Sequence, residues 1–239
     1  MCKVSKKVGT RNRPLSQTFD NYIFDLYGTL IDIHTDEYGD ETWEKWIAFL
    51  DAQGIRHPGL ARFRDDFFCK DKEHRLRPSV YEYPEIDVLR VYDELFTSYG
   101  NRKLTDAELF EIAYRFRVAS REYFRLFEGV PAFLKKLRAL GKKVYILSNA
   151  QRSYTLYEIT HFKLDQVVDD YLISSDYGCM KPDMAFFNAL VHKHCLERSR
   201  SVMLGDSYEN DYCGAIRAGL SAIWLSGANA AEQFYIERA

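Results

Sequence analysis

Five short apolar runs, each ending in polar or small residues, constrain the fold of this chain more than any other feature. Tyr22-Ile23-Phe24 runs into Asp25, Val144-Tyr145-Ile146-Leu147 into Ser148-Asn149, and Tyr171-Leu172-Ile173 into Ser174-Ser175-Asp176. Val202-Met203-Leu204 runs into Gly205-Asp206, and Ala222-Ile223-Trp224-Leu225 into Ser226-Gly227. Brief runs of this kind, often β-branched, are how strands buried on both faces read. Helical patterns separate most of them. Residues 131–140 put Phe133, Leu134, Leu137 and Leu140 on one face and stop at Gly141. Residues 153–161 and 184–194 also read as helices, the second opened by Pro182-Asp183, and residues 210–218 close at Gly219. Such alternation predicts an α/β fold with a doubly wound parallel sheet, whose ligands bind outside the carboxyl ends of the strands.

Residues 36–124 break the rhythm. No convincing strand appears there, but four amphipathic patterns do: Trp43, Trp46, Ile47, Leu50; Leu60, Phe63, Phe67; Val88, Val91, Leu95; and Leu109, Ile112, Phe116. An insert placed directly after the first strand would overhang the strand ends, so a lid is its expected role. The expected organisation is a basic tail (1–18), an α/β core (19–35 and 125–239) and a helical cap (36–124).

The chain has 239 residues, 46% of them hydrophobic and 15% aromatic, enough for a core with an insert. A net charge of −2 and a pI near 6.3 give no pull toward nucleic acid or an anionic membrane. The basic start (Lys3, Lys6, Lys7, Arg11, Arg13) has no apolar face or interleaved aromatics and reads as a solvated tail. No run approaches the roughly 20 apolar residues of a membrane span, and none near the N-terminus resembles a signal sequence. The five cysteines are scattered, without a CxxC pair, and read as reduced thiols of a cytoplasmic protein; a redox role for Cys179 is the lesser alternative. No feature specifies an oligomeric state.

Four polar clusters follow predicted strands or open predicted helices. Asp25-Leu26-Tyr27-Gly28-Thr29-Leu30 follows the first run. Ser148-Asn149 ends the second, Lys181-Pro182 precedes a helix, and Gly205-Asp206-Ser207-Tyr208-Glu209-Asn210-Asp211 follows the fourth run. Singly, each has a plainer explanation: a turn, a weak anion site, a solvated lysine, a capped helix start. In this order, an acid, a hydroxyl, a lysine and an acid pair resemble the four motifs of the haloacid-dehalogenase-like superfamily. The first and fourth are the specific ones. The resemblance runs from about Phe19 to the C-terminus, with the insert matching the superfamily's cap.

That resemblance implies a phosphatase acting on a small phosphorylated substrate through an aspartyl-phosphate on Asp25. It implies Mg²⁺ held by Asp25, Asp206 and the backbone carbonyl of Tyr27. Thr29, Ser148, Asn149 and Lys181 would hold the transferring oxygens, and Asp211 would orient Lys181 or metal-bound water. Three carboxylates against one lysine would repel a phosphate dianion, and a divalent cation corrects that balance.

One position departs from the pattern. Superfamily phosphatases usually carry a second Asp two residues after the nucleophile, to protonate the leaving alkoxide; here Tyr27 stands there, and a phenol of pKa about 10 is a poor acid for that task. The superfamily's metal-free 2-haloacid dehalogenases share Asp-x-Tyr-Gly-Thr, since a halide leaves without a proton. They typically have Ser where this chain has Asp206 and Asn where it has Tyr208, and take an arginine from the cap; Arg62, Arg75 and Arg77 are the candidates here. Retention of Asp206 favours the phosphatase. A catalytically weak, phosphate-binding or regulatory protein is a third reading of Tyr27. Trp43, Trp46, Phe67 and Phe68 suit core or pocket equally, and residues 81–85 suit equally a cap loop approaching the site and the N-terminal turn of a helix.

Overall fold

The computed structural model describes residues 19–225, so the basic tail and the Ser226-Gly227 end of the last run lie outside the described residues. In chain order the first half holds β1 (Asn21–Phe24), β2 (Ile31–Thr35), α1 (Asp40–Ala52), α2 (Leu60–Arg75), α3 (Val88–Ser98), α4 (Asp106–Ser120) and β3 (Arg121–Leu126). Then come α5 (Val130–Ala139), β4 (Lys143–Ser148), α6 (Arg152–His161), β5 (Asp170–Ile173), α7 (Ser174–Tyr177) and α8 (Met184–Lys193). The last elements are β6 (Ser201–Gly205), a π-helical turn (Tyr208–Cys213) continuing into α9 (Gly214–Arg217), and β7 (Ser221–Trp224).

The five apolar runs are the five strands of one parallel sheet, ordered β5-β4-β1-β6-β7. Every residue of β1 is buried, because the period-2 alternation of a strand sends its side chains into two separate cores. Tyr22 and Phe24 join Val144, Ile146, Val202 and Leu204 in a core closed by Leu134 and Leu137 of α5 and Ile159 of α6. Ile23 joins Tyr145, Leu147 and Met203 in the opposite core, closed by Phe186, Phe187 and Leu190 of α8 and Ala215 of α9. Parallel strands need this cover on both faces. Successive strands run outward from β1 to β4 and β5, then return to β6 on its other side. The carboxyl ends of β1, β4 and β6 therefore meet at a topological switch point.

The four amphipathic patterns of the insert are the helices α1 to α4. α3 starts on Asp87, whose side chain accepts from the Leu89 N–H, and α4 starts on a reciprocal Thr105–Glu108 capping box. Their apolar faces form a third core around Trp43, Trp46, Phe63, Tyr92, Phe96 and Ile112. Several of its rings meet edge to face, with Trp43–Phe116 centroids 5.0 Å apart and Trp46–Phe63 centroids 5.2 Å apart. Such pairs add about 0.5–1.5 kcal/mol each beyond the area they bury. Among the described residues, no helix is long and apolar enough to cross a membrane.

Two features differ from the sequence expectation. An antiparallel ribbon of β2 and β3 joins the helices to the sheet, and β3 begins inside residues 36–124, where no strand is expected. The ribbon is short and mostly half-exposed, so β3 has no apolar run to mark it. The helix expected from residue 210 begins earlier, as the π-helical turn, because Tyr212 N–H reaches back five residues to the Ser207 carbonyl at 3.3 Å.

Trp46 is 1% exposed and donates its indole N–H to the Ile112 carbonyl at 2.9 Å. Trp46→Ala is expected to lower stability by about 3–5 kcal/mol through the cavity it leaves, measured by urea denaturation.

Candidate active site

Asp25 is the first residue past β1, held there by its N–H donating to the Leu204 carbonyl at 2.9 Å. Its Oδ1 accepts from the Lys181 ammonium at 2.6 Å, and the same ammonium donates to Asp211 Oδ1 at 2.6 Å. Lys181 and Asp211 are 2% and 1% exposed, so this is a buried acid–lysine–acid triad. The second Asp211 oxygen accepts from the Ser207 N–H at 2.9 Å, a bond that the π-helical turn makes available. Asn149 clamps the Lys181 backbone from both ends: its Nδ2 donates to the carbonyl at 2.8 Å, and its Oδ1 accepts from the N–H at 2.7 Å. Thr29, fully buried, places Oγ1 3.4 Å from Asp25 Oδ2 and from Asp206 Oδ1. The buried Ser148 hydroxyl at the end of β4 makes no hydrogen bond among the described residues.

Two glycines make room for the acids. At Gly28, with φ +80°, a Cβ would lie 2.4 Å from Asp206 Oδ2; at Gly205 it would lie 2.2 Å from Asp211 Oδ2. A side chain at either position would push a carboxylate out of the site. Glycine is required at 28 on conformational grounds as well.

Carboxylate oxygens of Asp25, Asp206 and Asp211 all lie within 4.8 Å of one another. Burial raises the Asp25 carboxyl to about 7 against the pull of Lys181, with Asp211 and Asp206 adding to the rise. Burial and Asp211 raise Asp206 too. Burial alone would depress the Lys181 ammonium, but Asp25 and Asp211 raise it above its ordinary value. Acids that resist ionising together are what a bound cation relieves. The all-oxygen donor set suits a hard divalent ion such as Mg²⁺. These groups line a cleft of ≈ 170 Å³ with Tyr27, Asn149 and Ser207.

The Tyr27 hydroxyl is committed elsewhere. It donates to Glu158 and lies 3.0 Å from the Thr155 hydroxyl. Burial, then the Glu158 charge, raises this phenol well above its ordinary value. Glu158, 1% exposed, also accepts from Arg117 Nε at 3.0 Å, and the Arg117 guanidinium sits 5.0 Å from the Tyr27 ring centre and 4.8 Å from that of Tyr154. Neither Arg117 nor Glu158 stands out in the sequence: the first lies beside an apolar stripe on α4, the second inside α6.

Of the three arginines singled out from sequence, Arg62 and Arg77 are mostly exposed and pair with Asp66 and Glu94. Arg75 binds Asp71 at 2.8 Å and faces a second cavity between the helices and the core. Phe67 and Phe68 line that cavity, whereas Trp43 and Trp46 are buried in the helical core. Residues 82–88 do reach the core. Glu82 and Tyr83 donate their N–H groups to Asp183 Oδ2 at 3.0 and 3.2 Å, and Gln151 bonds both the Ile86 carbonyl and the Val88 N–H. Cys179 is buried, and burial pushes its thiol up to about 11, away from thiolate chemistry.

Removing one partner of a buried ion pair leaves the other charge uncompensated, at a cost of about 3–5 kcal/mol. Glu158→Ala is expected to lose that much stability by urea denaturation. Glu158→Leu combined with Arg117→Met should lose clearly less than the sum of the two single changes.

A profile described as haloacid dehalogenase-like hydrolase matches residues 19–219. Over 115 residues the chain is 26% identical to a glyceraldehyde 3-phosphate phosphatase of Methanothermobacter thermautotrophicus, covering 48% of this chain and 51% of that protein. Over 147 residues it is 28% identical to a pyrimidine 5'-nucleotidase of Escherichia coli, covering 61% and 64%. The matched stretch thus spans between half and two thirds of these relatives. A crystal structure of a 2-haloacid dehalogenase from Pseudomonas syringae superposes with a TM-score of 0.57 at 21% identity, covering 86% of each chain, a likeness of fold. The parallel sheet, the acids at its switch point and a profile match over most of the length agree: this chain belongs to the haloacid dehalogenase-like hydrolases.

Proposed function

We propose that the chain hydrolyses a small phosphomonoester, with Asp25 attacking phosphorus and Mg²⁺ held by Asp25, Asp206 and the backbone carbonyl of Tyr27. The observation that carries this reading is the convergence of Asp25, Asp206 and Asp211 on one cleft, with a single ammonium among them. Three negative charges against one positive charge oppose the approach of a phosphate dianion. Bound by these residues, Mg²⁺ would supply the missing positive charge and would stabilise negative charge on the transferring group.

The chain's own residues do the rest. Lys181 bonds Asp25 Oδ1, while Oδ2 has, among the described residues, only the 3.4 Å contact with Thr29 and is the oxygen left for attack. Attack forms the Oδ2–phosphorus bond and breaks the bond to the leaving oxygen; water then cleaves the aspartyl-phosphate. Lys181 and the uncommitted Ser148 hydroxyl face the developing charge on the phosphoryl oxygens. Asp211 and Asn149 act by holding Lys181 in place. The helical unit serves as the cap, its residues 82–88 docked beside Lys181. Two relatives whose names record a phosphatase and a nucleotidase support phosphate-ester chemistry. The free cysteines among the described residues agree with a cytoplasmic setting.

One observation favours a second reading. With its hydroxyl on Glu158, Tyr27 gives no proton to a leaving group, which suits metal-free displacement of halide from a 2-haloacid. Asp206 weighs against that reading, since a halide displacement has no metal for it to hold.

Phosphate release from p-nitrophenyl phosphate and from sugar and nucleotide monophosphates tests the proposal. Turnover is expected to require Mg²⁺, to stop with EDTA, and to fall about 10³-fold or more in Asp25→Asn. Silence across the panel together with metal-free halide release would replace the phosphatase with the dehalogenase. Supplying an acid with Tyr27→Asp is expected to raise alkyl-phosphate turnover relative to aryl-phosphate turnover by about 10²-fold or more.

A further inference from the structure

The second cavity, between the helical unit and the core, has a volume of ≈ 320 Å³ and exceeds the ≈ 170 Å³ cleft at Asp25. It falls within the ~300–1,000 Å³ usual for small-molecule sites. Its walls are aromatic: Phe67 and Phe68 from α2, Tyr92 from α3, Phe116 from α4 and Tyr154 from α6. Flat rings gathered from four elements favour a flat ring between them.

Two hydroxyls in this wall have no hydrogen-bond partner among the described residues. Tyr92 is 2% exposed, yet its hydroxyl makes no hydrogen bond among the described residues. Tyr92 lines the cavity beside Tyr154, Glu37 and Asp71. Tyr154 likewise makes no hydroxyl bond among the described residues, and its neighbours include Arg117 and Glu37. Both hydroxyls belong to a wall that water reaches, and a ligand with a polar edge would bond them as it displaces that water.

Charge defines the ligand further. Arg75 is bound to Asp71 at 2.8 Å, and Arg117 to Glu158 at 3.0 Å and Glu37 at 3.5 Å. The cations are already neutralised, so the cavity suits an uncharged group. It adjoins the phosphoryl cleft: Arg117 lines the cavity, and Tyr27, which lines the cleft, lies against its guanidinium.

We propose that this cavity takes an uncharged, flat heteroaromatic end of the substrate, stacked among the Phe67, Phe68 and Phe116 rings with its polar edge on the Tyr92 and Tyr154 hydroxyls. The phosphate end occupies the Asp25 cleft, and that half of the assignment rests on the phosphatase reading. The ring half stands without it.

Calorimetric titration of the Mg²⁺-loaded full chain with uridine, adenosine and ribose separates the two. At least one nucleoside is expected to bind saturably and ribose not at all. Tyr92→Phe, which removes only the hydroxyl, is expected to weaken that nucleoside about 2- to 10-fold. The matching nucleoside 5'-monophosphate should exceed ribose 5-phosphate in kcat/KM by at least about 10-fold, and the excess should shrink in Tyr92→Phe. Acetyl phosphate, with no ring, reports on the cleft alone. Its hydrolysis with neither nucleoside bound overturns the cavity assignment and leaves the phosphatase intact. A nucleoside bound with equal affinity by Tyr92→Phe overturns the contact on which the assignment rests. Nucleoside binding sensitive to Tyr92, with no phosphate released from any substrate, supports the cavity and removes the phosphatase reading.

Discussion

One buried ammonium holds the acidic cleft at the strand ends together. Lys181 reaches Asp25 and Asp211 at 2.6 Å each, from a position where almost no water touches it. Desolvated charges are costly unless paired, so the triad forces three distant segments into one arrangement: the end of β1, the entry to α8 and the π-helical turn after β6. The surrounding detail follows from that demand. Asn149 fixes the Lys181 backbone rather than its side chain, and the Ser207 N–H holds the second oxygen of Asp211. Gly28 and Gly205 are small because carboxylates lie where their Cβ atoms would be. The triad satisfies two acids only in part, and among the described residues Asp206 pairs with no cation of its own. The excess of negative charge is the feature that gives a divalent ion a reason to bind.

Tyr27 belongs to a different network, although it is only two residues from Asp25. Its hydroxyl bonds Glu158 of α6, its ring lies under Arg117 of α4, and Arg117 reaches across to Glu37 before α1. The loop carrying the proposed nucleophile is thereby tied to the helical unit through buried side chains. The phenol hydroxyl is held on α6, and the ring braces the side of the Asp25 cleft that adjoins the larger cavity. Under the proposed function, the tyrosine that takes the place of a proton donor also joins the cleft to the cavity-lining Arg117, and the leaving group must depart without that donor.

How much of this was legible in the sequence depends on the range of the interactions. The five strands were readable because burial on both faces leaves an unbroken apolar run, as in Val144 to Leu147. The four insert helices were readable from side chains at helical spacing, as with Trp43, Trp46 and Leu50. The convergence of Asp25, Asp206 and Asp211 was legible only through motif order, since no spacing rule brings residues 25 and 211 together. The β2–β3 ribbon was not legible, because Arg121-Glu122-Tyr123-Phe124 alternates too weakly to mark a strand. Arg117, Glu158, Asp183 and Gln151 were missed for a further reason: each takes its meaning from a partner at least 40 residues away, and a charged or amide side chain on a helix otherwise reads as solvated surface.

The helical unit has a hydrophobic core of its own, separate from the two cores that clasp the sheet. Its attachment is mostly polar and made by a few core residues. Asp183 caps α8 with one oxygen and receives the N–H groups of Glu82 and Tyr83 with the other, while Gln151 and Ser174 bind Ile86, Val88 and the Glu85 carboxylate. Because Asp183 lies two residues after Lys181, the seat of the helical unit and the proposed catalytic lysine share one rigid segment at the entry to α8. The apolar cavity walls come mainly from α2, α3 and α4, and the charged triad comes wholly from the sheet ends and the segments that follow them. Changes to the rings of Phe67, Phe68 or Phe116 therefore act on a core that does not pack around Asp25. Under the proposed function, selectivity for the group beyond the phosphate can diverge while the charge balance around Lys181 stays as it is.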